Sequence, residues 1–290
     1  MEADQNLRVT PTRWWKSRLV LRFLKSRSGM IGLVLVLGTV FISLFADYLA
    51  PYSYSKMINE PMLSPGGEHL FGTDQLGRDY LSRIIYGSQV SMLVAILSQL
   101  VAILIGIPIG AISGYLGGRI DNLLMRIVDV FLAFPFYLLA IVLVAVLGPN
   151  LQNVIIALGV VMWPAMARLV RGQTLSIREE EYIAAARVIG ESRSYIILRH
   201  VIPNCLAPVI IQVSLNMASA ILGEAGLSFL GLGIQPPTPS WGQLLGFSKD
   251  YLRIAPHLCI FPGLSIMLVV LGFNLLGDGL RVTLDPRLKS

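Results

Sequence analysis

Few residues in this 290-residue chain are of types that do chemistry unaided. Its two cysteines, Cys205 and Cys259, form no CxxC pair, and His69, His200 and His257 stand apart from one another. Neither a zinc site nor a redox pair is spelled out. Asp74 and Asp79 lack the spacing of an EF-hand calcium loop. No G-x-x-x-x-G-K-[ST] occurs, so the chain has no loop of that kind to cradle a nucleotide phosphate. No Ser/His/Asp or Cys/His grouping suggests an activated nucleophile. What remains is recognition, and it concentrates in residues 179–203, EEEYIAAARVIGESRSYIILRHVIP. Glu179, Glu180 and Glu181 place negative charge where a helix N-terminus favours it. Ala184, Ala185 and Ala186 are strong helix formers. Tyr182, Ala185, Ala186 and Ile189 fall at i, i+3, i+4 and i+7, one apolar stripe. Gly190 suits the left-handed position that stops a helix. Ser192 can start a second short helix carrying Tyr195, Ile196 and Arg199 up to Pro203. A short helix of small residues either lies in a groove on a partner or rests on lipid.

The elements that carry this stretch belong in a membrane. The chain is 54% hydrophobic and only 14% charged, with mean hydropathy +0.69. Six segments have the roughly 20 apolar residues that a helix needs to cross about 30 Å of hydrocarbon. They are 29–50, 88–114, 134–149, 151–171, 201–223 and 256–278. Residues 123–130 extend the third span on one side, with Pro135 as an expected kink. Gly148-Pro149-Asn150 joins the third and fourth as a tight hairpin. The first apolar run exceeds a signal-peptide core and lacks a small-x-small cleavage site before Pro51, so it reads as an uncleaved span. A disulfide between Cys205 and Cys259 would have to bridge most of the bilayer.

Six spans put both termini on one side. Segments 1–28, 115–133, 168–200 and 279–290 hold 18 of the 23 lysines and arginines, so that side is expected to be cytoplasmic. The net charge of +6 is thereby a membrane-orientation signal, with lipid head groups and proteins as partners and no nucleic acid. The organisation is a basic N-terminal segment, 1–28, with Trp14 and Trp15 among its bases. It reads as an amphipathic surface helix or as a plain positive-inside anchor. The first span and an outer segment, 29–87, follow. A five-helix body, 88–278, contains a loop, 172–200, and 279–290 form a tail.

On the outer side, Gly72 and Gly77 mark turns, and Asp79 is placed to cap a short helix leading into the second span. Gly106, Gly110 and Gly114 share one helix face, so another helix can approach closely. Packing within the chain and a subunit or pore seam are both open. Residues 224–255 are too rich in glycine and proline to span, and they fit a re-entrant or surface-packed loop. Glu224 stands at its start, an acid close to the membrane within reach of water. Its role and the pore-lining residues are not legible.

The 184–203 stretch resembles the EAA loop of ABC importer permeases: E-A-A, three residues, G, nine residues, I-x-L-P. Ala184-Ala185-Ala186, Gly190 and His200-Val201-Ile202-Pro203 occupy the pattern. Ala184 replaces the usual Glu, and His200 and Ile202 replace Ile and Leu. The outer FGTDQLGRD, the loop SFLGLGIQPPTPSWG and the terminal FNLLGDGLRVTLDP also resemble the second permease of the dipeptide, oligopeptide, nickel and glutathione importers. The resemblance implies an all-α membrane fold of the type I importer class, in a bacterial inner membrane, with a coupling helix. It implies that Glu181, Tyr182, Ala184, Ala185, Ala186, Ile189, Gly190 and Pro203 form the ATPase-coupling element. It further implies a homologous second permease, two ABC ATPase subunits that bind ATP and Mg, and a periplasmic solute-binding protein. On that reading the chain is a non-enzymatic half-pore for di- or oligopeptides, with a nickel chelate or glutathione as alternative solutes.

Two other classes compete. An ion-gradient-driven secondary transporter usually carries buried acids or broken helices at midplane. The six spans contain no ionisable residue near their centres, since Asp47 and Asp278 lie at ends. A structural scaffold would leave the 179–203 helix and the Gly-Pro loop without a task.

Overall fold

The computed structural model describes residues 20–58 and 60–284. Among them every regular element is helical. Trp14, Trp15 and most of the basic N-terminal segment lie outside the described residues, as does the tail from 285 onward.

Helix α1, Arg27–Leu44, begins at Ser26, whose hydroxyl accepts the Gly29 amide. A short turn, Ala46–Leu49, follows it. Helix α2, Tyr80–Leu116, starts eight residues before the expected span, because Asp79 caps this long helix itself, not a short leader. Asp79 Oδ2 accepts from the Ser82 amide at 2.8 Å and hydroxyl at 2.6 Å, while Oδ1 meets His69 Nδ1 at 2.8 Å. Such a cap is worth ~1 kcal/mol. Asp74 does not wait for a cation. It receives Arg78 Nε at 2.7 Å and faces Arg83 Nε at 3.3 Å, all three side chains being buried. Gly72 and Gly77 take positive φ, as the turn reading requires.

The third span does not form one kinked helix. Helix α3, Gly118–Ala133, and helix α4, Phe136–Leu147, meet at 90°. Proline clashes with a helical residue before it and lacks the amide that would continue the ladder. Phe134 is accordingly extended, and Pro135 breaks the helix. Helix α5, Leu151–Arg178, starts from an Asn150 cap and runs parallel to α2. Helix α6, Glu181–Val188, turns back under both. A short helix, Arg193–Ile196, and a π-turn, Ile197–Val201, lead without a break into α7, Ile202–Phe229. The π-turn has a local cause: a proline at 203 cannot donate to the carbonyl of 199, and a wider turn accommodates the missing bond.

The Gly-Pro loop is partly helical. Helix α7 continues through 224–229, and after a turn comes α8, Trp241–Ser248. The Trp241 indole donates to Ile84 O at 2.9 Å and fits against Gly87, where a Cβ would come within 2.9 Å of the ring. Helix α9, His257–Leu284, runs six residues past the expected end and absorbs the start of the tail. It packs antiparallel on α1 through glycines, for a Cβ on Gly279 would lie 2.3 Å from the Gly29 Cα. Both cysteines are free thiols.

The expected glycine face of α2 packs inside the chain. A Cβ on Gly106 would meet Met166 Cβ at 2.8 Å, one on Gly110 Ala167 O at 2.4 Å, and one on Gly114 Thr174 Cβ at 2.7 Å. The backbones of α2 and α5 thus touch along their length. Small residues permit that approach, and dispersion between close backbones holds it where no hydrophobic drive separates helices from lipid.

Candidate functional site

The alanine helix α6 is built by its ends. Glu180 is the N-cap residue, in extended conformation, and Glu181 opens the first turn. Glu179 belongs elsewhere: it ends α5, with its carboxylate 3.0 Å from Arg178 Nε. The triple-glutamate reading therefore holds for two residues. At the other end Gly190 has φ +85°. The Gly190 amide donates to Arg187 O and the Glu191 amide to Ala186 O, both at 3.1 Å. This pair of bonds is the Schellman stop, and a left-handed residue is what it needs. Ser192 then caps the next helix through the Tyr195 amide at 3.3 Å.

The apolar stripe divides differently from the sequence reading. Ile183 and Ala186 are the buried residues of α6, with Ile183 fully covered. They share one core with Tyr115 of α2, Val170 of α5 and Cys205 of α7. Full burial of an isoleucine side chain contributes about 1.5–3 kcal/mol. Tyr182, Ala184, Ala185, Val188 and Ile189 are exposed, Val188 at 86% and Ile189 at 75%. Periodicity groups residues on a face but does not say which neighbouring face the chain itself will cover. Burial, and after it the Glu180 carboxylate, raise the Tyr182 phenol above its ordinary range, so it remains a neutral hydroxyl.

Polar contacts fasten the same helix. Arg187 lies 5.3 Å from the centre of the Tyr115 ring, and its NH2 donates to Arg178 O at 3.2 Å. Arg178 donates to Gly114 O at 3.3 Å. Asp121 of α3 takes a two-pronged contact from Arg171 of α5, at 2.6 and 2.7 Å, and accepts the Ser113 hydroxyl of α2. His200 meets Glu191 at 2.9 Å and lies near the rings of Tyr182 and Tyr195, which draws the two ends of the 181–200 segment together. Pro203 stands apart from α6, exposed in the first turn of α7. A displacement of α6 would therefore reach α2, α5 and α7 through packed contacts, while Tyr182, Ala185, Val188 and Ile189 lie outside this core.

Glu224 is not at a watery loop edge. It lies inside α7 with no exposed surface, and Ser228 Oγ donates to its Oε1 at 2.6 Å. It sits roughly 33 Å along α7 from Ile202, near the far end of the helix. No group of three or more potential metal ligands converges among the described residues.

Comparison with known proteins gives the family of this chain. Residues 106–290 match the family described as binding-protein-dependent transport system inner membrane component, and residues 13–65 the N-terminal TM domain of oligopeptide transport permease C. The dipeptide transport system permease protein DppC of Alkalihalophilus pseudofirmus is 46% identical over 99% of this chain and 93% of its own length. The di/tripeptide permease DppC of Pseudomonas aeruginosa is 42% identical, over 96% and 92%. The glutathione permease GsiD of Pectobacterium atrosepticum is also 42% identical, over 99% and 94%. In structure, a chain of the inward-facing MetNI methionine ABC transporter matches with a TM-score of 0.58 at 19% identity, covering 69% of this chain and 96% of that one. That likeness carries the fold of a type I importer. With helices that suit a bilayer and relatives matching almost end to end, the chain belongs to the binding-protein-dependent inner membrane components, as a multi-pass ABC importer permease of the DppC/OppC kind.

Proposed function

We propose that this permease forms half of a pore with a homologous second permease, and that two ATPase subunits power it through α6. The observation that carries the reading is the two-sided burial of α6. Its root, Ile183 and Ala186, is packed against three long helices, and its outer face presents Tyr182, Ala185, Val188 and Ile189 uncovered. Alanines on that face let a partner backbone come close, as a groove requires. ATP and Mg belong to the ATPases, whose closure moves the knob and with it the ends of α2, α5 and α7. The side bearing α6 is cytoplasmic, along with both termini, and the loops 51–79 and 230–256 receive a periplasmic binding protein. The solute is a di- or oligopeptide, in keeping with the names of two relatives above 40% identity. Glutathione is the second reading, favoured by the relatives named for it; as a tripeptide it offers the same amide chemistry.

The test is uptake of a labelled dipeptide into proteoliposomes holding the complete complex and the binding protein. Uptake should need ATP, stop with vanadate and survive a protonophore. Uptake that continues without nucleotide and collapses with the proton gradient would replace this reading with a secondary transporter.

A further inference from the structure

A groove of about 600 Å³ opens between α5, α7 and α9, and it breaks the apolar pattern of the bundle. Gln173 of α5, Asn204 and Gln212 of α7, and Arg281 of α9 line it together with apolar side chains. Asn204, Gln212 and Asn216 recur at helical spacing on one side of α7. Gln212 Nε2 donates to Asn216 Oδ1 at 2.8 Å, which orients both amides. That bond leaves Gln212 Oε1 as an acceptor and Asn216 Nδ2 as a donor. Leu206 and Ile210, 45% and 48% exposed, occupy the other side of the same helix.

Depth sharpens the contrast. At 1.5 Å per residue, Gln212 and Asn216 lie about 15 and 21 Å along α7 from Ile202, near the middle of a bilayer. Incompletely bonded amides at that depth are not tolerated against hydrocarbon and require water, protein or a polar solute. The apolar Leu206–Ile210 side suits lipid or protein; the amide side does not suit lipid.

We infer that this groove is a water-filled stretch of the translocation path, in which Gln212, held by Asn216 one turn beyond the groove lining, hydrogen-bonds the peptide units of a polar solute as it passes. The inference rests on the permease reading and adds a contact residue. Paired neutral amides supply one donor and one acceptor, the complement of a peptide N–H and C=O, and favour no net charge. Among the described residues Arg281, at the α6 end of the groove, is the one cation lining it, placed where a solute carboxylate would leave.

The experiment uses the full complex in proteoliposomes, with Cys205→Ala and Cys259→Ala as background. Gln212→Cys and Asn216→Cys, introduced singly, should react with a hydrophilic, impermeant methanethiosulfonate, at least tenfold faster than Leu206→Cys. A transported dipeptide should slow that reaction. In the native-cysteine complex, Gln212→Leu with Asn216→Leu should lower dipeptide uptake about tenfold. If the 212 and 216 thiols are as inert as that at 206, the amides are covered by the second permease or by lipid and the inference fails. If they react but the peptide neither slows them nor loses uptake in the leucine variant, the surface is wet but touches no solute, and the inference again fails. Stimulation of ATP hydrolysis by the binding protein in the unsubstituted complex tests the permease reading separately.

Discussion

Ala185 is exposed on α6, one residue before the buried Ala186. Adjacent alanines therefore play opposite parts, one rooted in the bundle and one free for a partner. Ala185→Glu should collapse uptake while membrane insertion and complex-independent folding persist, read as transport against permease abundance. Normal uptake would remove the coupling assignment. Ile183→Ala acts on the root instead. It deletes a fully buried side chain and should cost about 2–5 kcal/mol, seen as a lower melting temperature in detergent. The alanine run and the Gly190 stop were legible from residue type alone. The division of the stripe was not, because Ile183 at i and Ala186 at i+3 make an equally regular pair, and only packing decides between faces. Glu224 was misread for a related reason. Hydropathy placed the helix end at the charge, whereas a Ser228 hydroxyl lets α7 carry the acid inside.

At the scale of elements, length and apolarity located the five long apolar helices, while the third expected span is a sharply bent pair, and the boundaries moved wherever a local polar device extends a helix. Asp79 carries α2 outward to Tyr80, and the π-turn before Pro203 fuses the 193–196 helix to α7. The right-angle break at Pro135 was legible as a proline but not as an angle, since the direction of a chain after an extended residue is set by what it packs on. The glycine ladder was legible as a close approach, and its partner, α5 of the same chain, was not. Gly110→Leu should therefore act within this subunit. A leucine there would drive into Ala167 O and Val170, and the permease should lose yield and thermal stability by several kcal/mol even when expressed without partners. Loss confined to complex assembly, with the isolated subunit unchanged, would contradict the packing. Asp79→Ala should remove the α2 cap and leave His69 without this carboxylate. It should lower the melting temperature and expose the 51–79 segment to protease.

Across the whole molecule the two ends are fastened by different chemistry. One end has buried ion pairs and ring contacts: Asp74 with Arg78 and Arg83, Phe71 stacked on Phe261 at 3.8 Å, and the Tyr80 hydroxyl on Leu258 O. The other has arginine bridges that knit α3, α5, α6 and α2 into one block. Between them lies a bundle with close glycine contacts and one amide-lined groove. Under the proposed coupling reading, that division would make the α6 end and the opposite end the two firmly fastened parts of the subunit. That the chain suits a membrane was legible from composition, and the importer fold from the family resemblance. The groove was not, because Gln173, Gln212 and Arg281 come from three helices and meet only in the folded chain.

The most direct measurement of the coupling claim is a crosslink. With Cys205 and Cys259 replaced, a single Ala185→Cys permease in the assembled complex is treated with a short bifunctional thiol reagent against cysteines placed around the ATPase groove. The account predicts a permease–ATPase product whose yield changes between nucleotide-free and ATP-bound states. A thiol at 185 that never joins the ATPase, and that reacts instead with impermeant reagent from the periplasmic side, would contradict it.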